Sequence, residues 1–253
     1  MENTAYIALT RQAALDRQMD VIANNIANAA TTAYKGEHMM FAELLQNIPV
    51  DGSRDLHEVA FVQDLSVIRD LQEGPMERSG NTFDFAIKGN GYFELDTADG
   101  ARYTRNGRFE LDADGMLVSS HGHAVLSADG APIVIELTAT EITVGRDGTV
   151  STENGDLGRI KVVRFENERL LEKTGDRLYR SDVPALGDGE PDINGDTDSG
   201  EILQGTLEGS NVQPIIELTR MLQAQRAYVS AQRMIVAEDD RIKEVIDTVP
   251  TSN

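Results

Sequence analysis

All 22 glycines of this 253-residue chain lie between Gly36 and Gly209, and no proline interrupts Met1 to Lys35 or Ile215 to Val249. Two ends free of helix breakers therefore flank a glycine-punctuated middle. Charge divides in the same way. Residues 1–35 carry 3 basic and 3 acidic side chains and residues 212–253 carry 5 and 6, so nearly all of the formal charge of −20 sits on the middle. A chain this acidic repels phosphate backbones and anionic lipid, which argues against nucleic-acid binding and polybasic membrane attachment. It shows no run of about 18 apolar residues to span a bilayer and no basic-then-apolar leader with a cleavage site. With no cysteine, disulfides, thiolate metal sites and a cysteine nucleophile are excluded.

In the first arm Ala5, Ala8, Gln12, Leu15, Met19, Ile22, Ile26 and Ala29 recur at alternating intervals of three and four, apolar except for Gln12. This spacing predicts an amphipathic helix with a coiled-coil seam, capped at Asn3 or Thr4 and ending near Ala30. In the second arm Leu218, Met221, Gln225, Tyr228, Gln232, Ile235, Asp239, Ile242 and Ile246 keep the same rhythm, and Leu222, Val229 and Val236 widen the stripe. Pro214 suits a first helical turn after Ser210 or Asn211, and the helix is expected to run to about Val249. A helix of this length gets most of its stability from packing its apolar face, and each large apolar residue buried is worth about 1.5–3 kcal/mol. The two arms are expected to meet each other, with neighbouring chains covering what remains exposed.

Between the arms the period shortens to two. Asp-Gly pairs at Asp99-Gly100, Asp114-Gly115, Asp129-Gly130 and Asp147-Gly148 separate short strand-like runs: Gly91 to Leu95, Arg108 to Leu111, Met116 to Val118 and Pro132 to Glu136. Asp-Gly between such runs signals hairpins. Arg159 to Phe165 alternates as a strand with one buried face. The fold class that follows is α+β: amino- and carboxy-terminal α-helices pairing as a coiled-coil-like helical domain, with a central antiparallel all-β domain. The expected divisions are a helical arm at 1–36, an extended connector at 37–73 with a helix-like stretch from Met39 to Leu45, and the β domain at 74–185. An acidic loop and return segment at 186–210 and a second helical arm at 211–253 complete the chain.

The sequence offers little catalytic chemistry. His121-Gly122-His123 lacks an evident third metal ligand and reads as a hairpin pair. The run Asp192 to Asp198 resembles the front of a calcium loop, yet Thr197 stands at the glycine place and Leu203 at the closing glutamate place. Gly89-Asn90-Gly91 reads as a turn before a strand, without a phosphate-binding continuation. Carboxylates are abundant, but none is paired by spacing as an acid and base. No catalytic residue, cofactor or metal is expected.

The run Met19-Asp20-Val21-Ile22-Ala23-Asn24-Asn25-Ile26-Ala27-Asn28, followed by Thr32-Ala33-Tyr34-Lys35, resembles the signature of flagellar rod, hook and hook-filament junction proteins. The stretches Ser79 to Phe93 and Tyr103-Thr104-Arg105-Asn106-Gly107-Arg108-Phe109 are similar to the rod and hook members. So are Gln204 to Val212 and Gln225-Arg226-Ala227-Tyr228. Within that family the opening Met1 to Leu9, and Phe61 to Asp64 ahead of Arg69-Asp70 and Glu73-Gly74-Pro75, look most like proximal-rod members, with distal-rod members second. One position departs: the family usually carries glycine where Ala33 stands, and a positive φ there would strain alanine.

The resemblance implies a structural subunit of the flagellar basal-body rod, spanning the periplasm and exported without a cleaved signal peptide. Its implied partners are copies of itself, neighbouring rod proteins and the flagellar type III export apparatus, with no nucleic acid and no direct membrane insertion. The subunit-interface residues it implies in the first arm are Leu15, Met19, Ile22, Asn25 and Ile26. Those in the second arm are Leu218, Met221, Leu222, Gln225, Tyr228, Val229, Ile235 and Ile242. Arms that stay loose for export and fold when neighbours bury their seams fit this reading, with Gln225 and Gln232 as register-setting residues and Arg226 as a polar contact. A secreted calcium-binding or adhesive β protein and an acidic hydrolase are the readings from other classes.

Overall fold

The computed structural model describes residues 2–49, 56–186 and 200–248. Two helices and an antiparallel β body make the fold α+β. The chain forms two compact units, crossing between them after residues 29, 35, 70 and 211.

The first unit holds α1 (Glu2–Ala27), β1 (Glu37–Pro49), β2 (Leu56–Arg69) and α2 (Pro214–Thr248). Helix α1 starts at Glu2, which puts Asn3 and Thr4 inside its first turn, and stops at Ala27, three residues earlier than expected. Its end is closed by Asn28, whose N–H reaches the Asn24 and Asn25 carbonyls at 3.1 and 3.2 Å. The Asn28 side chain also donates back to the Asn24 carbonyl at 2.9 Å, covering acceptors that a helix end leaves open. At the start of α2 the Gln213 carbonyl takes the Ile216 and Glu217 amides. Proline at the first helical position sacrifices no hydrogen bond there.

Most of the expected connector is a ribbon. Strands β1 and β2 pair antiparallel from Glu37↔Arg69 to Pro49↔Leu56, with a bulge between Met40 and Phe41. Met39 to Leu45, expected to be helix-like, lies within β1. Seven residues are too few to sustain a helix alone, whereas the facing strand supplies a partner at every position. A two-stranded ribbon is itself marginal in water, and α1 packs on both strands.

The second unit is the β body, with β3 (Met76–Arg78), β4 (Phe85–Lys88), β5 (Tyr92–Thr97) and β6 (Gly100–Thr104) at its start. Its main sheet runs in the order Glu172–Gly175, Leu178–Arg180, β6, β5, Ala124–Val125, Leu117–Ser119, Phe109–Leu111, and Val162–Val163 also pairs with β5. All four Asp-Gly glycines lie in or beside turns, with Gly100 opening β6, at φ of 79 to 97°, a region that glycine enters without steric cost. Pro132 to Glu136, expected as a strand, forms only isolated bridges at Pro132 and Val134. Alternate carbonyls and amides of that run still bond to neighbours, and Ile133 and Ile135 enter the core. Arg159 to Phe165 has two buried faces. Ile160 and Val162 join a core with Phe85, Phe93, Leu95 and Phe109, while Val163 and Phe165 join a second core with Tyr92, Leu171 and Tyr179.

The chain returns through two strands that the sequence did not announce. Glu201–Gln204 pairs with β4 and Thr206–Glu208 pairs with β3. The calcium-like run Asp192 to Asp198 lies outside the described residues.

A loop within the body depends on one exposed carboxylate. Glu153 accepts the Thr140 amide at 2.9 Å, the Thr140 hydroxyl at 3.1 Å and the Glu141 amide at 3.2 Å. The backbone amides hold its carboxyl down, to about 2. Because the folded value lies below the unfolded one, this contribution is present above the ordinary glutamate range and is lost as pH falls through about 2. Acid titration of unfolding should therefore show a shallower slope between the ordinary glutamate range and pH 2 in Glu153→Gln than in the wild type.

Candidate functional site

Helix α2 presents two different rows of side chains. The row that loses water within the chain is Glu217, Met221, Ala224, Tyr228, Ala231, Ile235 and Glu238, with Ala224 and Ala231 buried. Its intervals of four and three keep one side of the helix against α1. The inward row is thus displaced by one residue from the spacing expected through Leu218, Gln225, Gln232 and Asp239, all of which are exposed. Small alanines on the inner side allow the two backbones to approach closely. A second row, Ile215, Leu218, Leu222, Val229 and Val236, faces water, with Leu218 at 51 % and Leu222 at 54 % exposure. Gln225 and Gln232 fall within this outer row, and Arg226 is also exposed.

The expected interface residues therefore separate. On α1, Ile22 and Asn25 are buried, and Leu15, Met19 and Ile26 are half-buried. On α2, Met221, Tyr228 and Ile235 are half-buried on the inner side, while Leu218, Leu222, Gln225, Val229 and Ile242 are exposed. Asn24 receives the Asn28 side chain at 2.7 Å. Asn25 instead binds inward, to the Glu37 backbone.

The β body carries a buried charge cluster that sequence reading missed. Glu208, at 1 % exposure, ends the last strand of the return segment. Its Oε1 accepts the Lys35 ammonium at 2.6 Å and the Gly74 amide at 3.0 Å, and its Oε2 accepts Arg105 Nη1 at 3.2 Å. Lys35 also donates to the Gln72 carbonyl at 2.6 Å. Arg105 donates to the Gly91 carbonyl at 3.0 Å and to the Gly89 carbonyl, and its guanidinium lies 5.6 Å from the centre of the Tyr92 ring. Glu73, 4.0 Å from Arg105, supplies a second, half-exposed carboxylate. Burial pulls the Lys35 ammonium below its ordinary value of 10.5, and the Glu208 carboxylate opposes that pull.

Two backbone features let the chain reach this cluster. Gly74 passes so close to the return segment that a Cβ would stand 2.0 Å from the Gly209 carbonyl oxygen, which only glycine avoids. Ala33 adopts φ of 56° and donates its N–H to the Glu208 carbonyl at 2.8 Å. The strain anticipated at the missing glycine is therefore present, held in place by that hydrogen bond. Lys35, Arg105 and Glu208 each stood in a quoted motif. Only their meeting across as many as 173 residues gives them a role, and no local pattern signals it.

Among the described residues no group of three or more His, Cys, Asp or Glu is placed to hold a metal. His121 and His123 lie around a turn in which Gly122 has φ of 80°. No described helix is long and apolar enough to cross a membrane.

Comparison with known proteins agrees with this geometry. Residues 86–152 match the family described as flagellar hook protein FlgE/F/G D1 domain, residues 203–248 match flagellar basal body rod FlgEFG protein C-terminal, and residues 6–35 match flagella basal body rod protein. The flagellar basal-body rod protein FlgF of Caulobacter vibrioides is 40 % identical over 93 % of both chains. This chain belongs to the flagellar basal-body rod protein family. FlgF of Mesorhizobium japonicum is 32 % identical over 98 % of both chains, and FlgG of Bacillus subtilis is 31 % identical over 98 % of this chain and 99 % of its own. The rod protein is FlgF-like, a structural subunit of the flagellar basal body in a family that is not enzymatic. Its charge cluster takes Lys35 from the segment 6–35, Arg105 from 86–152 and Glu208 from 203–248.

Glu208→Gln should cost about 3–5 kcal/mol in urea unfolding at neutral pH, because it leaves two buried cations without their shared anion. Without Glu208 the folded Lys35 value falls further below 10.5, so the unfolded state holds the extra proton between the two values. Stability of the variant should accordingly recover as pH rises through that window. At Ala33, substitution by glycine should raise stability by up to about 1 kcal/mol, since the left-handed penalty on alanine outweighs the entropy lost by glycine. Valine at the same position should lower it by more than about 2 kcal/mol in the same measurement.

Proposed function

We propose that this subunit belongs to the proximal part of the rod and polymerises with copies of itself and neighbouring rod proteins through its terminal helices, which pair in coiled-coil fashion. The observation that carries this reading is the double character of α2. Its inner row is satisfied by α1, and its outer row leaves Ile215, Leu218, Leu222 and Val236 more than 40 % exposed. Burying a large apolar side chain is worth about 1.5–3 kcal/mol, so a neighbour's helix laid along this row has a driving force that the single chain leaves unused. Gln225 and Gln232, in the same row, would set the register of that contact as isolated polar residues do in helical seams. The expected interface residues thus take two roles. Ile22, Ile26, Met221, Tyr228 and Ile235 join the arms to each other, whereas Leu218, Leu222, Gln225, Val229 and Ile242 meet neighbours.

The assignment to the proximal rod rests on the FlgF relative at 40 % identity, against 34 % and 31 % for two FlgG relatives. The setting is the periplasmic part of the basal body, reached through the flagellar export apparatus. Helical arms with most of one face open suit a chain that becomes fully ordered only on assembly.

Leu222→Glu and Val229→Glu test the reading, because both positions are exposed in the single chain. Each variant should keep wild-type stability within about 0.5 kcal/mol and should fail to enter basal bodies isolated from cells that lack the wild-type copy. Normal incorporation of both variants would rule out the outer row as the assembly surface.

A further inference from the structure

Asn25 is almost fully buried, at 1 % exposure, on a helix whose other buried residues, among those described, are Ala8, Ala14 and Ile22. Its carboxamide faces the first residue of β1. Oδ1 accepts the Glu37 N–H at 2.9 Å and Nδ2 donates to the Glu37 carbonyl at 2.7 Å. The side chain thereby makes the pair of bonds that a facing strand residue would make. Nδ2 also donates to Glu217 Oε2 at 3.4 Å, across 192 residues. Glu217 is buried in the first turn of α2, and its other oxygen accepts Arg220. One amide therefore joins α1, β1 and α2.

Asparagine alone fits these demands at this size. The geometry needs an acceptor for Glu37 N–H, a donor for its carbonyl and a donor for a carboxylate. Aspartate lacks the donors, and leucine lacks both kinds of group. Sliding α1 against β1 by one residue would set Ile26 or Asn24 opposite Glu37 and withdraw the carboxamide from both partners, stranding polar groups in a buried site. Apolar contacts along a helix tolerate such a slide far better, because they have no direction.

We infer that Asn25 is the register-setting residue of the helical unit, locking α1 to the start of the β1–β2 ribbon and to the first turn of α2 within one chain. It is a positioning residue, and it acts through the place it gives to the outer row of α2 rather than by touching a neighbouring subunit. This inference rests on the proposal that the terminal helices carry assembly.

The test exchanges donor and acceptor. Asn25→Asp preserves size but sets a carboxylate against Glu217. Glu217→Gln then returns a donor to the pair. In cells whose own copy is deleted, Asn25→Asp should reduce the number of assembled basal bodies about tenfold or more. Adding Glu217→Gln should restore most of that loss, whereas Glu244→Gln, elsewhere on α2, should not. Asn25→Leu should fail as Asn25→Asp does. In purified full-length chains, exchange of the Glu37 amide hydrogen should accelerate about tenfold or more in Asn25→Asp and slow again in the paired variant. Unchanged exchange in Asn25→Asp, no recovery in the pair, or wild-type behaviour of Asn25→Leu would overturn the inference. Basal bodies that assemble normally in the deletion strain would instead overturn the rod reading, while the exchange result still decides the role of Asn25.

Discussion

The architecture of the β body depends on a single buried carboxylate. Glu208 collects the Lys35 ammonium, the Gly74 amide and the Arg105 guanidinium, from points 173, 134 and 103 residues away in the chain. Moving three charged groups out of water costs several kcal/mol for each ion and is offset only when the geometry is complete. A partly formed cluster is worse than none. This all-or-nothing character links the register of the last strand to the position of β3, and the loop at Gly89 and Gly91 to the strand that precedes Arg105. The strained Ala33 turn, bonded to the Glu208 backbone, belongs to the same bargain: local conformational energy is accepted where the surroundings over-determine the conformation.

The helical unit uses the opposite economy. Among its described residues the fully buried polar side chains are one amide and a glutamate, and alanines and half-buried side chains make up the rest of the inner row of α2. Two rows on α2, offset by one residue, differ in the size of their side chains. Alanines line the side where backbones must come close, and leucines and valines line the side left to water.

Hydrophobic spacing revealed the two helices and the antiparallel body, because a period of 3.6 and a period of two survive in any sequence that must bury one face. The Asp-Gly pairs located hairpins for an equally local reason, a φ that glycine adopts freely. Spacing could not choose between Glu217 and Leu218 as the inner position. Intervals of three and four fit either row, and hydropathy favours leucine over the alanines that pack inside. The ribbon at β1 and β2 was hidden because its stability comes from pairing, and strands of three or four residues such as Thr206–Glu208 are too short to show an alternation. The charge cluster was unreadable for a deeper reason: Lys35, Arg105 and Glu208 are ordinary surface residue types until the fold removes water from them.

The long sequence separation of the Lys35–Glu208 contact also fixes an order of events. A chain delivered amino end first, as from a ribosome, presents Lys35 early and Glu208 only after 173 further residues have followed. Until then the two strands that complete the pairing of β3 and β4 do not exist, and the cations that the carboxylate will neutralise must stay hydrated. The closure of β3 and β4 is therefore timed by the arrival of the last two strands, after the main sheet has all of its own.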